Sequence, residues 1–449
     1  MKKITLLLLT VVLAAASCNS VKEPEWFLDK EYQMFKAQMY NELPVRQSDI
    51  VMLGDDYIDD APWSWLFVSQ NGPTVRNRGI RGDGIPHVMY RLDSIVRHRP
   101  AKIFLSVGIN DLYHGSTIDE VHAGIDKIFA KIKKASPKTE CYYLTIVPGS
   151  RLPSDVGIHA IELNKNILMA KNPNYTVLDI NHILLNGVMS GEYSRDGGRH
   201  LNGNGYTTLT MAISGDMGLT PNNLFKDSVD FALSPVAQRT SEGGRVNLYG
   251  WHKGSIYRTI PFTVNQILML GNGLVDRGEW RSLLEGFKVE ARGIEGETLS
   301  DLAWRIDNAG KIRPAKIFLA AGGDDLLAEN ANVDEIWGQY TAIVAKLQKE
   351  MPKAKIYVHT VPPMAASREG AAQYNGRVKE FNSRIKAAGE EFDYICVDLA
   401  ELLADENGNL DPVNTVDGYN LSVSGYFKWC AELLGNGRVL VIGNPYHND

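Results

Sequence analysis

The chain is poor in cysteine, in clustered basic charge and in long apolar runs. It has four cysteines in 449 residues. Past the N-terminus, Cys141, Cys396 and Cys430 are odd in number and fit no metal-ligand spacing. Cys141 and Cys396 lie in apolar, strand-like runs, so inert core thiols are expected. No Lys/Arg cluster stands out, and the formal net charge is −6. That argues against nucleic acid, which needs a basic face. The acidic balance speaks only for solubility. After residue 17, no apolar run reaches the roughly 20 residues of a membrane span. With 44% hydrophobic and 22% charged residues the composition is globular, and the length suits two or three domains.

The exception is the start. Lys2 and Lys3 precede an apolar stretch, Ile4 to Ala16, and Ala15-Ala16-Ser17-Cys18 is similar to a bacterial lipobox. The expectation is a lipoprotein signal peptide over residues 1–17 and a lipid on Cys18. The protein would then be exported and held at the cell envelope by that anchor alone.

What is present is a pattern that occurs twice. Ile50 to Leu53 is a short apolar run ending in the polar turn Gly54-Asp55-Asp56. The same turn returns as Gly271-Asn272-Gly273, and Trp63 returns as Trp280, both displaced by 217 residues. RPAKIFLSVGINDL at Arg99 matches RPAKIFLAAGGDDL at Arg313, and HLNGNGY at His200 matches NLSVSGY at Asn420. Buried strand runs alternate with helical runs in each copy, which predicts an α/β sandwich of three layers on a parallel sheet. The expected division is tether and leading helix 18–44, first domain 45–218, connector and second leading segment 219–264, and second domain 265–449. SEGGR at 241–245 reads as a loop.

Four turns recur in fixed order: GDD at Gly54, NRGIRGD at Asn77, GIND at Gly108 and DGGRH at Asp196. In this order they resemble the SGNH hydrolases, also called GDSL esterases and lipases, in the branch related to platelet-activating-factor acetylhydrolase. The resemblance implies two tandem flavodoxin-like folds and hydrolysis of acyl or acetyl esters of glycans or lipids, with no cofactor or metal. It also implies a serine nucleophile, a glycine N–H and an Asn amide as oxyanion donors, and an Asp-His pair. In the first copy Gly82, Asn110 and His200 match. The nucleophile position holds Asp56. Asp196 stands one residue further from His200 than the pattern asks, and a one-residue insertion leaves open whether it reaches the imidazole. In the second copy Gly273, Asp324 and Asn420 replace Ser, Asn and His, while Gly296 and Asp417 remain.

Asp56 admits two readings. One is a substituted nucleophile. The other is a lost catalytic residue that caps the following helix. A carboxylate attacking an ester carbonyl forms an anhydride, which is no easier to make than the product, so the second reading is favoured. Two function classes stay open: an extracytoplasmic ester hydrolase acting through the first copy, and a pseudo-esterase whose cleft binds carbohydrate or a partner. His87, His114 and His182 read as structural. Trp63 and Trp65 would place one ring in the core and one beside a pocket. Asp55, Asp56, Asp59, Asp60 and Asp83 read as a solvated acidic surface.

Overall fold

The computed structural model describes residues 23–67, 73–150, 152–237, 248–260, 267–307 and 313–439. The signal segment, Cys18 and the SEGGR loop lie outside them. Among the described residues no helix is long and apolar enough to cross a membrane.

The first copy runs α1 (Lys30–Glu42), β1 (Ile50–Gly54), β2 (Val75–Gly79), α2 (Ile85–Val96), β3 (Lys102–Ser106), α3 (Ile118–Ala135), β4 (Glu140–Leu144), α4 (Ser154–Ala170), β5 (Thr176–Leu178), α5 (Ile180–Met189) and α6 (Gly203–Met217). The second repeats it with α7 (Leu248–Thr259), β6 (Ile267–Gly271), β7 (Val289–Gly293), α8 (Leu299–Asp307), β8 (Lys316–Ala320), α9 (Val333–Glu350), β9 (Lys355–His359), α10 (Ala371–Ala387), β10 (Ile395–Val397), α11 (Leu399–Leu403) and α12 (Val423–Gly435). The parallel sheets have orders β2-β1-β3-β4-β5 and β7-β6-β8-β9-β10. This is the doubly wound order, which puts ligand sites at the carboxyl ends of the strands.

Strand periodicity builds the layers. Val51 and Leu53 point into one core with α2, α3 and α4, whereas Ile50 and Met52 point into the other with α5 and α6. Both faces are covered, which is why β1 is apolar at every position before Gly54. Leu268 and Leu270 against Ile267 and Met269 divide the second copy in the same way.

The leading helices are exchanged. Tyr32, Phe35, Met39 and Tyr40 of α1 belong to the core of the second copy, with Trp280 and Tyr426. Ile256 and Tyr257 of α7 belong to the core of the first, with Tyr206 and Leu209 of α6. Each helix also reaches back. Tyr40 donates to the Gly79 carbonyl of β2 at 2.9 Å, and Tyr257 donates to the Gly293 carbonyl of β7 at 2.8 Å. Each leading helix therefore bridges the two copies.

Of the cysteines, Cys141 and Cys430 are buried, and Cys396 on β10 is half-buried. Trp63 and Trp280 are fully buried and donate to equivalent carbonyls, Ile58 and Val275, each at 2.8 Å.

Candidate active site

Gly54 ends β1 with φ near +149°, and a Cβ there would lie 1.8 Å from the Ser106 carbonyl oxygen of β3. Only glycine permits that approach. Helix Asp56–Asp59 follows. Asp55 stands at its N-cap and Asp56 is its first residue, which corrects the expectation that Asp56 is the cap. The Asp56 side chain instead reaches across the strand ends. Its Oδ2 accepts the Gly82 N–H at 2.9 Å and the Asn110 side-chain amide at 3.4 Å. Gly82 sits in the turn after β2, where Asp83 is held by Gln33 at 3.1 Å and Arg91 at 2.9 Å. Asn110 stands on the one-turn helix after β3 and also donates to the Asp83 carbonyl at 3.0 Å. The two expected oxyanion donors thus converge, and their target is a carboxylate of the chain itself.

The Asp-His pair is assembled despite the extra residue. Asp196 Oδ2 lies 2.6 Å from His200 Nδ1, and Asp196 Oδ1 accepts the His200 backbone N–H at 3.1 Å. Gly197 and Gly198, with φ of 75° and 94°, take up the insertion in conformations that other residues rarely adopt. Ser194 donates to Asp196 Oδ1 at 2.8 Å. Burial alone would raise the Asp196 carboxyl. The hydrogen bonds and charge of His200 outweigh it and hold Asp196 below the usual carboxylate range.

Three contributors were given no role in the site by the sequence. The first is Asp60, 2% exposed, with neither carboxylate oxygen hydrogen-bonded and Oδ2 3.9 Å from His200 Nε2. The imidazole therefore lies between two carboxylates. Burial pushes His200 down, but Asp60 and then Asp196 outweigh it, and its pKa stands above the ordinary value. Burial drives Asp60 itself up to about 6. The others are Tyr249 and His252 of α7. The Tyr249 ring lies 5.6 Å from His200. His252 Nδ1 donates to the Leu248 carbonyl at 2.6 Å, so its Nε2 accepts the Arg195 N–H at 2.9 Å. Burial pushes its pKa to about 4, and it remains neutral. The signal for this wall was present in the spacing Tyr32, Lys36, Tyr40, which returns as Tyr249, Lys253, Tyr257.

The acidic residues near the first turn are not a solvated surface. Asp55, Asp59, Asp60 and Asp83 are all buried. Asp59 accepts from Tyr32 at 2.5 Å and from the Arg81 N–H at 2.9 Å. His87 accepts the Gly84 N–H and meets the Trp26 carbonyl, and His114 stacks on Trp26. His182 begins α5 exposed, its N–H donating to Asp179.

In the second copy Gly273 presents no side chain. Asp324 accepts from Tyr419 at 3.4 Å, and burial lifts its pKa to about 6. Asn420 donates to Asp417 at 2.7 Å, and Arg368 pairs with the same carboxylate at 3.2 Å. The pair geometry survives with an amide in place of the base.

The sequence profile of the GDSL-like lipase/acylhydrolase family matches residues 54–208 and 271–427, more than half of the chain and once per copy. The chain belongs to this family. Curated relatives include platelet-activating factor acetylhydrolase IB subunit alpha1 of Homo sapiens, 26% identical over 178 residues, 37% of this chain and 74% of that protein. Subunit alpha2 of Rattus norvegicus is also 26% identical, over 37% of this chain and 75% of its own length. Similar solved structures include a GDSL-like lipase from Bacteroides thetaiotaomicron, at 19% identity and TM-score 0.36, covering 46% of this chain and 98% of that one. A catalytic mutant of an acetylxylan esterase from Geobacillus stearothermophilus has 14% identity and TM-score 0.33, covering 39% and 96%.

Proposed function

We propose that this GDSL-family protein is a catalytically silent esterase homologue at the cell envelope, whose first cleft binds a hydroxyl-rich ligand such as an acylated glycan. One observation carries the reading: Asp56 Oδ2 takes both donors of the oxyanion hole, Gly82 N–H and Asn110 Nδ2. An ester carbonyl entering the cleft would have to displace a carboxylate from that position, and the hole would then polarise it beside a negative charge. No hydroxyl nucleophile stands at the turn. The imidazole between Asp196 and Asp60 favours its protonated form, which is unsuited to accept a proton. With Asp56 in the hole, the cleft presents an acceptor where a hydrolase presents donors, and acceptors suit sugar hydroxyls. The acetyl or acyl ester class comes from the names of the relatives, and attachment through Cys18 comes from the lipobox-like AASC.

The retained Asp196–His200 pair favours a second reading, a weak hydrolase, and one experiment separates the two. Purified wild type should leave p-nitrophenyl acetate and acetylated sugars at the background rate. Asp56→Ser supplies the hydroxyl and frees the hole. An intact oxyanion donor is worth about 3 kcal/mol, roughly a hundredfold in rate. Asp56→Ser should therefore exceed wild type by about that factor and lose the gain when His200→Ala is added. Vigorous wild-type turnover that survives Asp56→Ala would overturn the proposal. For the anchor, a fatty-acid probe should label wild type and not Cys18→Ala; equal labelling would end that part.

A further inference from the structure

A second groove, sharing only the Tyr249 wall with the cleft, lies where the two copies meet. It is lined by β2 and β7 and flanked by α1 and α7, and its cavity holds about 100 Å³. Asp56, Asn110 and His200 do not line it. Most of its cations are engaged by acids. Lys36 binds Glu279 at 2.6 Å, Lys253 binds Asp276 at 3.2 Å, and Arg76 is shared between Asp49 at 2.8 Å and Glu285 at 2.6 Å.

Arg81 is different. Its guanidinium lies between the rings of Tyr32 and Tyr249, 5.1 and 4.5 Å from their centroids. The carboxylate paired with it, Glu295, stands 3.8 Å away, beyond hydrogen-bond distance, and the buried Arg81 Nε has no partner. Two rings hold the guanidinium plane, and a held plane keeps its fork of donors ready for a carboxylate. Further along the same groove Arg281 lies 5.4 Å from the ring of Trp65. Trp65 is half-buried, in contrast to Trp63 two residues earlier, which is fully buried. Trp65 thus presents an aromatic surface of the kind that packs on a sugar ring.

We propose that this groove binds a saccharide carrying a carboxylate, with the acid on Arg81 and the ring against Trp65 and Arg281. The site needs both copies, since Arg81 and Trp65 come from the first and Tyr249 and Arg281 follow the connector. It is independent of what the cleft does.

Calorimetry on the full chain with D-glucuronate, and with glucose and acetate as controls, tests it. Saturable binding of glucuronate is expected, at least tenfold tighter than either control. Arg81→Lys, which keeps the charge but not the fork, should weaken binding about tenfold, and Arg81→Gln should abolish it. Arg281→Gln should also weaken binding and carries the test if Arg81→Gln does not fold. Asp56→Ser, which alters the cleft, should leave the isotherm in place. No saturable glucuronate binding, or equal binding by folded Arg81→Gln and Arg281→Gln, would overturn the site. Loss of binding in folded Asp56→Ser would move it to the cleft, and acetate as tight as glucuronate would overturn its assignment to a saccharide.

Discussion

The two copies share a backbone and a packing scheme but not a chemistry. Gly54 and Gly271 meet the neighbouring strand at 1.8 and 1.9 Å from a carbonyl oxygen, measured from the Cβ each lacks. Trp63 and Trp280 fill matching positions, and the Tyr-Lys-Tyr stripe of α1 returns on α7. At the strand tips the pairs are Asp56 with Gly273, Asn110 with Asp324, and His200 with Asn420. The carboxylate-to-partner contact is nevertheless kept, Asp196 to His200 at 2.6 Å and Asp417 to Asn420 at 2.7 Å. Residues that build strands and seal the core are coupled to many neighbours, so changing one costs stability. A tip residue facing a cleft is coupled to few, and its identity can change while the turn stays.

The largest expected effect tests the shared scaffold. Trp63→Ala and Trp280→Ala should each destabilise by about 3–5 kcal/mol, read by urea unfolding. Because α1 and α7 are exchanged between cores, loss in either copy should lower the stability of both. Two separated transitions, with only the mutated copy affected, would break the comparison.

Next is the chemical contrast. Gly273→Ser, the counterpart of Asp56→Ser, should give no measurable gain in p-nitrophenyl acetate hydrolysis, because Asn420 cannot accept the proton and Asp324 repels a developing oxyanion. Set against the roughly hundredfold gain expected for Asp56→Ser, the contrast measures how far the second copy has drifted. A gain in Gly273→Ser would show that the second site is closer to function than its residues imply.

The smallest effect concerns pH. His200 holds its proton above the ordinary value of about 6.5. A raised histidine pKa contributes stability that is full below pH ~6.5 and is lost as pH rises through the folded-state value. Removing the Asp60 charge in Asp60→Asn should lower the His200 value and shorten that window, read by NMR titration of the imidazole. Asn420 provides no such term in the second copy. An unchanged His200 titration in Asp60→Asn would show that the pair does not interact.

Much of this was legible in the sequence, because periodicity and repetition are local signals. Ile50 to Leu53, the alternation of strand and helix, and the recurrence of RPAKIFL and Trp63/Trp280 led to two tandem three-layer α/β folds and to the family. The individual turns placed Gly82, Asn110 and His200 at strand ends. Other features depend on residues far apart in the chain. The Asp196 contact needed the backbone freedom of Gly197 and Gly198 to absorb one residue, which spacing alone cannot decide. The burial of Asp59 and Asp83 depended on α1 folding over the turn and bringing Tyr32, Gln33 and Lys36 to these acids.

The sequence by itself determined the strands, the duplication and the aspartate at the tip of the first turn, since each is written within a few neighbouring residues. The tertiary structure decided where that side chain went. A carboxylate is longer than a hydroxymethyl, and at the first position of the helix its oxygen reaches the N–H of Gly82 and the amide of Asn110, donors contributed by other parts of the sheet. It also decided that α1 and α7 trade cores, because burying an apolar helix face depends on which surface is nearest after the two sheets have met. Sequence order does not specify that distance.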